Sequence, residues 1–125
     1  MVSEHGLLFI EPRGAPSAEP VVDELTRKMA KALNRGRWGV AISGKLRAGA
    51  YRGHHTCSCG AQSTNQDCEL TNLLVTNFLA VHYLAYHRDE VPEAQLQKVA
   101  ELLDGEAEPT WAQLHGRTWH NHMSK

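Results

Sequence analysis

The chain has 125 residues, a net charge of −1, 42% hydrophobic and 22% charged residues, proportions that exclude disordered and collagen-like classes. A domain of this length buries roughly two thirds of its unfolded surface, so it needs neither metal nor disulfide merely to fold. No apolar run approaches the roughly 18 residues of a bilayer-spanning helix, and "MVSEHGLLFIEPRG" lacks the basic leader and long apolar stretch of a secretory signal. The expectation is one cytoplasmic domain over residues 1–125, without membrane association, in which Cys57, Cys59 and Cys68 stay reduced.

The first apolar run, "GLLFIE" at residues 6–11, reads as a short strand, and "PRGAPSAEP" after it as a loop. Residues 1–19 are therefore partly loop. Val22, Leu25, Met29, Ala32 and Leu33 recur at helical spacing and predict an amphipathic helix over 20–34. Ser17 is a candidate cap, Pro20 a first-turn residue and Gly36 the stop. From Trp38 the period drops to two, which predicts strand over 38–56, with "SGK" as a hairpin turn.

"HHTCSCGAQSTNQD" is polar and turn-rich, an irregular connection. The next stretch, "CELTNLLVTNFLAVHYLAYHRD", carries two adjacent apolar stripes: Leu70, Leu74, Phe78, Val81 and Ala85, then Val75, Leu79, His82 and Tyr86. A helix apolar on two sides is a buried one, so residues 67–87 are expected to be the central element, capped by Asp67. "EVPEAQLQKVAELLDG" predicts a helix over 92–103, with Pro92 in its first turn and Leu96, Val99, Leu102 and Leu103 buried. A last short helix is expected at 110–115, then a mobile tail over 116–125. Together these elements make an α+β domain: a small antiparallel sheet or hairpin packed on a central buried helix, with two further amphipathic helices.

The chemistry concentrates in Cys57-x-Cys59 and His82-x4-His87. Zinc takes four ligands from thiolate and imidazole, and the histidine spacing suits a Cys2His2 site. The cysteine spacing is tighter than usual. In a regular strand the two Cβ atoms stand about 6.6 Å apart, so convergence requires a turn at Ser58, with Gly60 relieving the backbone. His82 and His87 are separated by about 140° on an ideal helix, so they converge only if the helix ends at His87, which "RDEVP" favours. His55 and Cys68 are the alternatives for the fourth ligand. The competing reading is three small buried thiols and two hydrogen-bonded helix histidines.

"CSCGA" at residues 57–61 resembles the Cys-x-Cys-Gly turn of the zinc enzymes that activate formaldehyde as its glutathione adduct. The likeness covers five residues. Those enzymes carry further cysteine pairs, where this chain has only Cys68. The resemblance implies that a Cys-x-Cys turn can ligate zinc.

A thiol nucleophile with His54 or His55 as base is a weaker reading, since Cys-x-Cys is not the Cys-x-x-Cys redox motif. Charge supplies another. Residues 25–66 hold eight of the thirteen basic residues and none of the fourteen acidic ones, which can make a face that attracts an anion. The expected function is thus a small zinc-binding domain whose metal links the Cys-x-Cys loop to the central helix, in a structural or a hydrolytic role, with ligands from Cys57, Cys59, His82, His87 and His55. In the hydrolytic version His55 or Asp67 moves the proton. The alternative is a non-enzymatic anion or nucleic-acid binding module using Arg35, Arg37, Lys45, Arg47 and Arg52.

Overall fold

The computed structural model describes residues 6–39, 56–63 and 67–116. Among these residues are four α-helices and a three-stranded antiparallel sheet, the α+β composition expected from the sequence. No helix among the described residues is long and apolar enough to cross a membrane.

Helix α1 spans Glu24–Arg35 and buries Met29, Ala30, Ala32 and Leu33. It begins later than the hydrophobic pattern suggests because Asp23, not Ser17, is the cap. The Asp23 carboxylate accepts the Thr26 N–H at 3.2 Å, whereas the Ser17 hydroxyl donates to the Glu19 carbonyl. Asp23 also takes both guanidinium arms of Arg88, at 2.7 and 3.0 Å. Arg88 donates in addition to the Leu84 carbonyl. One carboxylate therefore starts α1 and fastens it to the segment that carries His82 and His87.

The hydrogen bonds from Arg88 hold the Asp23 carboxyl at about 2, against an ordinary 3.8. Because the folded-state value lies below the unfolded one, this stabilisation is complete above about pH 4 and is lost as pH falls through about 2. Asp23→Ala is expected to cost about 1–2 kcal/mol at neutral pH, the usual worth of a cap. Urea unfolding of parent and variant checks this, and the gap between them should narrow from pH 4 to pH 2.

Strand β1, Arg37–Gly39, follows α1 at once. It pairs with β2, Asp67–Glu69, which pairs with β3, Val75–Thr76. Gly36 permits this close approach. A Cβ there would overlap the Cys68 Sγ and stand 2.9 Å from the Glu69 carbonyl oxygen. The predicted strand at Trp38 is present in β1, but residues 40–55, including the "SGK" turn, lie outside the described residues.

The expected central helix over 67–87 is corrected in its first half. Asp67 opens a strand rather than capping a helix, and helix α2 covers only Ala80–Tyr86. The helical stripe is real but is overridden by pairing to β1 and by local polar groups. The Leu74 N–H is drawn to the Asn72 side chain at 3.1 Å, and Leu73 takes a φ of 71° in the turn, a conformation foreign to a helix. The Asn77 side-chain oxygen Oδ1 then accepts the Leu79 N–H at 2.8 Å, and α2 starts. Every residue from Ala80 to Ala85 is buried, so the short helix has the buried character read for the long one.

The 6–11 segment makes one parallel bridge, Gly6 to Val75, rather than a strand. Leu8, at φ 60°, breaks the extended run. Side chains satisfy its backbone instead: Thr76 donates to the Leu7 carbonyl, Asn77 to the Leu8 carbonyl, and the Leu8 N–H donates to Gln95. Leu7 and Leu8 are fully buried as a result.

After α2, a 3-10 turn at Arg88–Glu90 leads to α3, Glu93–Ala100, with Pro92 just before it. Val99 and Leu102 are buried, but Leu103 is 94% exposed. The helix stops at Ala100, so helical phase no longer governs position 103. Helix α4, Trp111–His115, lies where expected and is closed by a reciprocal capping box between Thr110 and Gln113. The core cluster joins Leu7, Leu8, Met29, Leu33, Leu79, Val81, Tyr83, Leu84 and Val99.

Candidate metal centre

Cys57, Cys59, His82 and His87 come together. Their ligand atoms all lie within 4.8 Å of one another. Cys57 Sγ is 3.3 Å from His87 Nε2, and Cys59 Sγ is 3.3 Å from His82 Nε2. Around one tetrahedral zinc the ligand-to-ligand separations are about 3.3–3.8 Å, given metal–sulfur and metal–nitrogen bonds of about 2.3 and 2.0–2.1 Å. The two sulfur–nitrogen contacts fall at the short end of that range, and the four donors lie close enough together that they could hold a metal ion.

Two local events make this possible. The Cys-x-Cys segment is a tight hairpin: Thr56 bridges Gln62, the Gly60 N–H donates to the Cys57 carbonyl at 2.8 Å, and the Cys57 N–H donates to the Ala61 carbonyl at 2.8 Å. Gly60 sits at φ 104°, a region open to glycine and costly for L side chains. The sulfurs thus leave a turn, not an extended strand. The second event is the end of α2. His82 is helical, while His87 has φ −130° and ψ 35°, outside the helix. That break removes the angular mismatch of residues five apart.

Burial differs across the set. Cys57, His82 and His87 are buried, and Cys59 is exposed. Burial lowers the imidazole of His82 to about 4 and lowers His87 as well. It raises the Cys57 thiol to about 11. Both effects favour the neutral forms.

The tautomer of His82 is fixed. Its Nδ1 lies 2.8 Å from the Leu114 carbonyl at the end of α4. A carbonyl can only accept, so Nδ1 carries the proton and Nε2 offers its lone pair to the site. His87 Nε2 faces the cluster in the same way. Its Nδ1 is a buried polar atom with no hydrogen-bond partner among the described residues, and the Glu90 carboxylate stands 3.8 Å from it. Each thiol can accordingly donate a hydrogen bond to a facing Nε2, or release its proton to solvent when a metal takes its place. Exchange of two thiol protons for one divalent cation leaves the net charge of this desolvated pocket unchanged.

This electrostatic picture disfavours Cys57 as a nucleophile. An activated cysteine needs its thiolate stabilised by a cationic partner, and at Cys57 burial raises the thiol and lowers both neighbouring imidazoles. Cys68, the alternative fourth ligand, lies in β2 beneath Gly36 and outside the group of four. Burial raises its thiol to about 12. Asp67, the candidate proton carrier, is likewise in β2 and outside the group. His54 and His55 lie outside the described residues, as do Lys45, Arg47 and Arg52 of the basic segment. The two described members of that set are ion-paired, Arg35 with Asp104 at 3.6 Å and Arg37 with Glu69 at 3.4 Å.

Sequence reasoning missed the Leu114 carbonyl and Glu90. A backbone carbonyl leaves no trace in residue identity. Glu90, three residues after His87, was a visible signal on a helical turn. No family model, curated protein or solved structure matches the chain.

Proposed function

We propose that the chain is a zinc-binding domain in which the ion is a structural clip. It joins the Cys57–Cys59 hairpin to the end of α2. The observation that carries this reading is the convergence of two sulfurs and two imidazole nitrogens within 4.8 Å. Thiolate and imidazole suit zinc, whereas magnesium and calcium seek oxygen donors. Four protein ligands fill a tetrahedral shell and leave no position for the reactive water that catalytic zinc sites retain. The structural role is thus favoured over the hydrolytic one.

The same reading places the protein in a reducing compartment such as the cytoplasm, because oxidation of the paired sulfurs would forfeit the site. The anion-binding alternative gains no support from Arg35 and Arg37, whose charges are matched by acidic neighbours. Elemental analysis of the purified chain provides the test. One zinc per chain is expected. A preparation that stays metal-free after refolding with excess zinc would overturn the reading.

A further inference from the structure

We propose that Glu90 is the orienting partner of His87, and that through it metal occupancy is coupled to the backbone of residues 12–14. This rests on the metal-binding reading above and adds a residue and a response to it. His82 already has its outer acceptor, the Leu114 carbonyl at 2.8 Å. His87 has none among the described residues: its Nδ1 is buried without a hydrogen bond there. Ligating histidines almost always donate their other ring N–H to a carboxylate, carbonyl or water. The Glu90 carboxylate stands 3.8 Å away, one 3-10 turn further along the chain. Closing that gap to a charge-assisted bond of about 2.7–2.9 Å requires only a small side-chain movement.

A metal supplies the reason to close it. Coordination at Nε2 draws electron density from the ring and makes the Nδ1–H a stronger donor. The carboxylate responds as an acceptor, and it is not free to move alone. Its two oxygens accept the backbone N–H groups of Arg13 and Gly14 at 2.8 and 2.9 Å. A Cβ at Gly14 would approach the Glu90 Oε2 to 3.0 Å, so that loop is fitted closely to the carboxylate. On its other side the same loop is held by the Cys-x-Cys hairpin, because the Ser58 hydroxyl donates to the Pro12 carbonyl at 2.9 Å. Residues 12–14 thus bridge the two halves of the site, and Glu90 is the joint between them and a ligand.

Glu90→Gln and Glu90→Ala provide the test. Glutamine keeps the shape but places an NH2 where one N–H must be accepted. Zinc affinity, measured by competition with a chromophoric chelator, is expected to weaken about 10- to 100-fold in both variants. Amide exchange at Arg13 and Gly14 is expected to slow on zinc addition in the parent and to respond much less in Glu90→Gln. A residue that merely anchored the loop would alter exchange with and without zinc alike and leave affinity unchanged. Parent-like zinc affinity in Glu90→Gln therefore overturns the proposal, even if the alanine variant does not fold. A parent chain that takes up no zinc overturns the metal assignment itself and this inference with it.

Discussion

Zinc content is expected to collapse in Cys57→Ser and in Cys59→Ser and to persist in Cys68→Ser. A hydroxyl is a far poorer zinc ligand than a thiolate. Losing one thiolate should weaken binding about a thousandfold, equivalent to about 4 kcal/mol. Cys57 and Cys59 share the hairpin whose sulfurs face His87 and His82 at 3.3 Å. Cys68 sits in β2 opposite Trp38 and Thr76. Its replacement puts a hydroxyl in a buried position, which costs about 1–3 kcal/mol of stability without touching the metal. His82→Ala and His87→Ala are both expected to lose zinc, since each supplies an Nε2 to the cluster. Stoichiometry and competition titrations on these variants would decide. Full occupancy in both hairpin variants would mean that the sulfurs and imidazoles form thiol–imidazole hydrogen bonds and nothing more.

Removal of the metal should produce the second large effect. With free zinc a thousandfold above its dissociation constant, linkage adds about 4 kcal/mol to the folded state. For a domain of this size that corresponds to a fall of about 15 °C in Tm on chelation. The chain should nevertheless stay folded. Its core joins Leu79, Tyr83 and Leu84 of the α2 segment to Leu7, Leu8, Met29, Leu33 and Val99, which come from segments that supply no ligand, unlike that of a small zinc finger. Thermal melts with and without a chelator, monitored by circular dichroism, provide the measurement. Identical melts from a sample that demonstrably lost its zinc would remove the structural role.

Periodicity made some elements legible and misled on others. Met29 and Leu33 in α1 and the Thr110 cap of α4 follow local rules, because the same residues that set propensity also set burial. Residues 67–79 do not. Leu70, Leu74 and Phe78 keep helical spacing, yet β2 and β3 form there. The strands depend on distant partners, β1 and Gly6, which no local pattern records. The site was legible in its donors because cysteine and histidine are chemically distinctive. Its geometry was legible at two points: Gly60 at the turn and "RDEVP" at the helix end. The outer partners were harder to find, since Leu114 acts through its backbone and Glu90 through a carboxylate that also serves a loop.

The hairpin glycine separates two demands that usually travel together. Gly36 is required for room, because a methyl group there would meet β2. Gly60 is not: a Cβ built on it finds nothing within 4 Å among the described residues, where only its φ of 104° restricts the position. For a residue of the opposite chirality that torsion is an ordinary one. A D-alanine introduced by chemical synthesis would meet none of the described residues, keep the hairpin backbone and narrow the unfolded ensemble relative to glycine. The Cys-x-Cys turn is therefore selective for handedness at residue 60, while among the described residues it leaves room there for a Cβ.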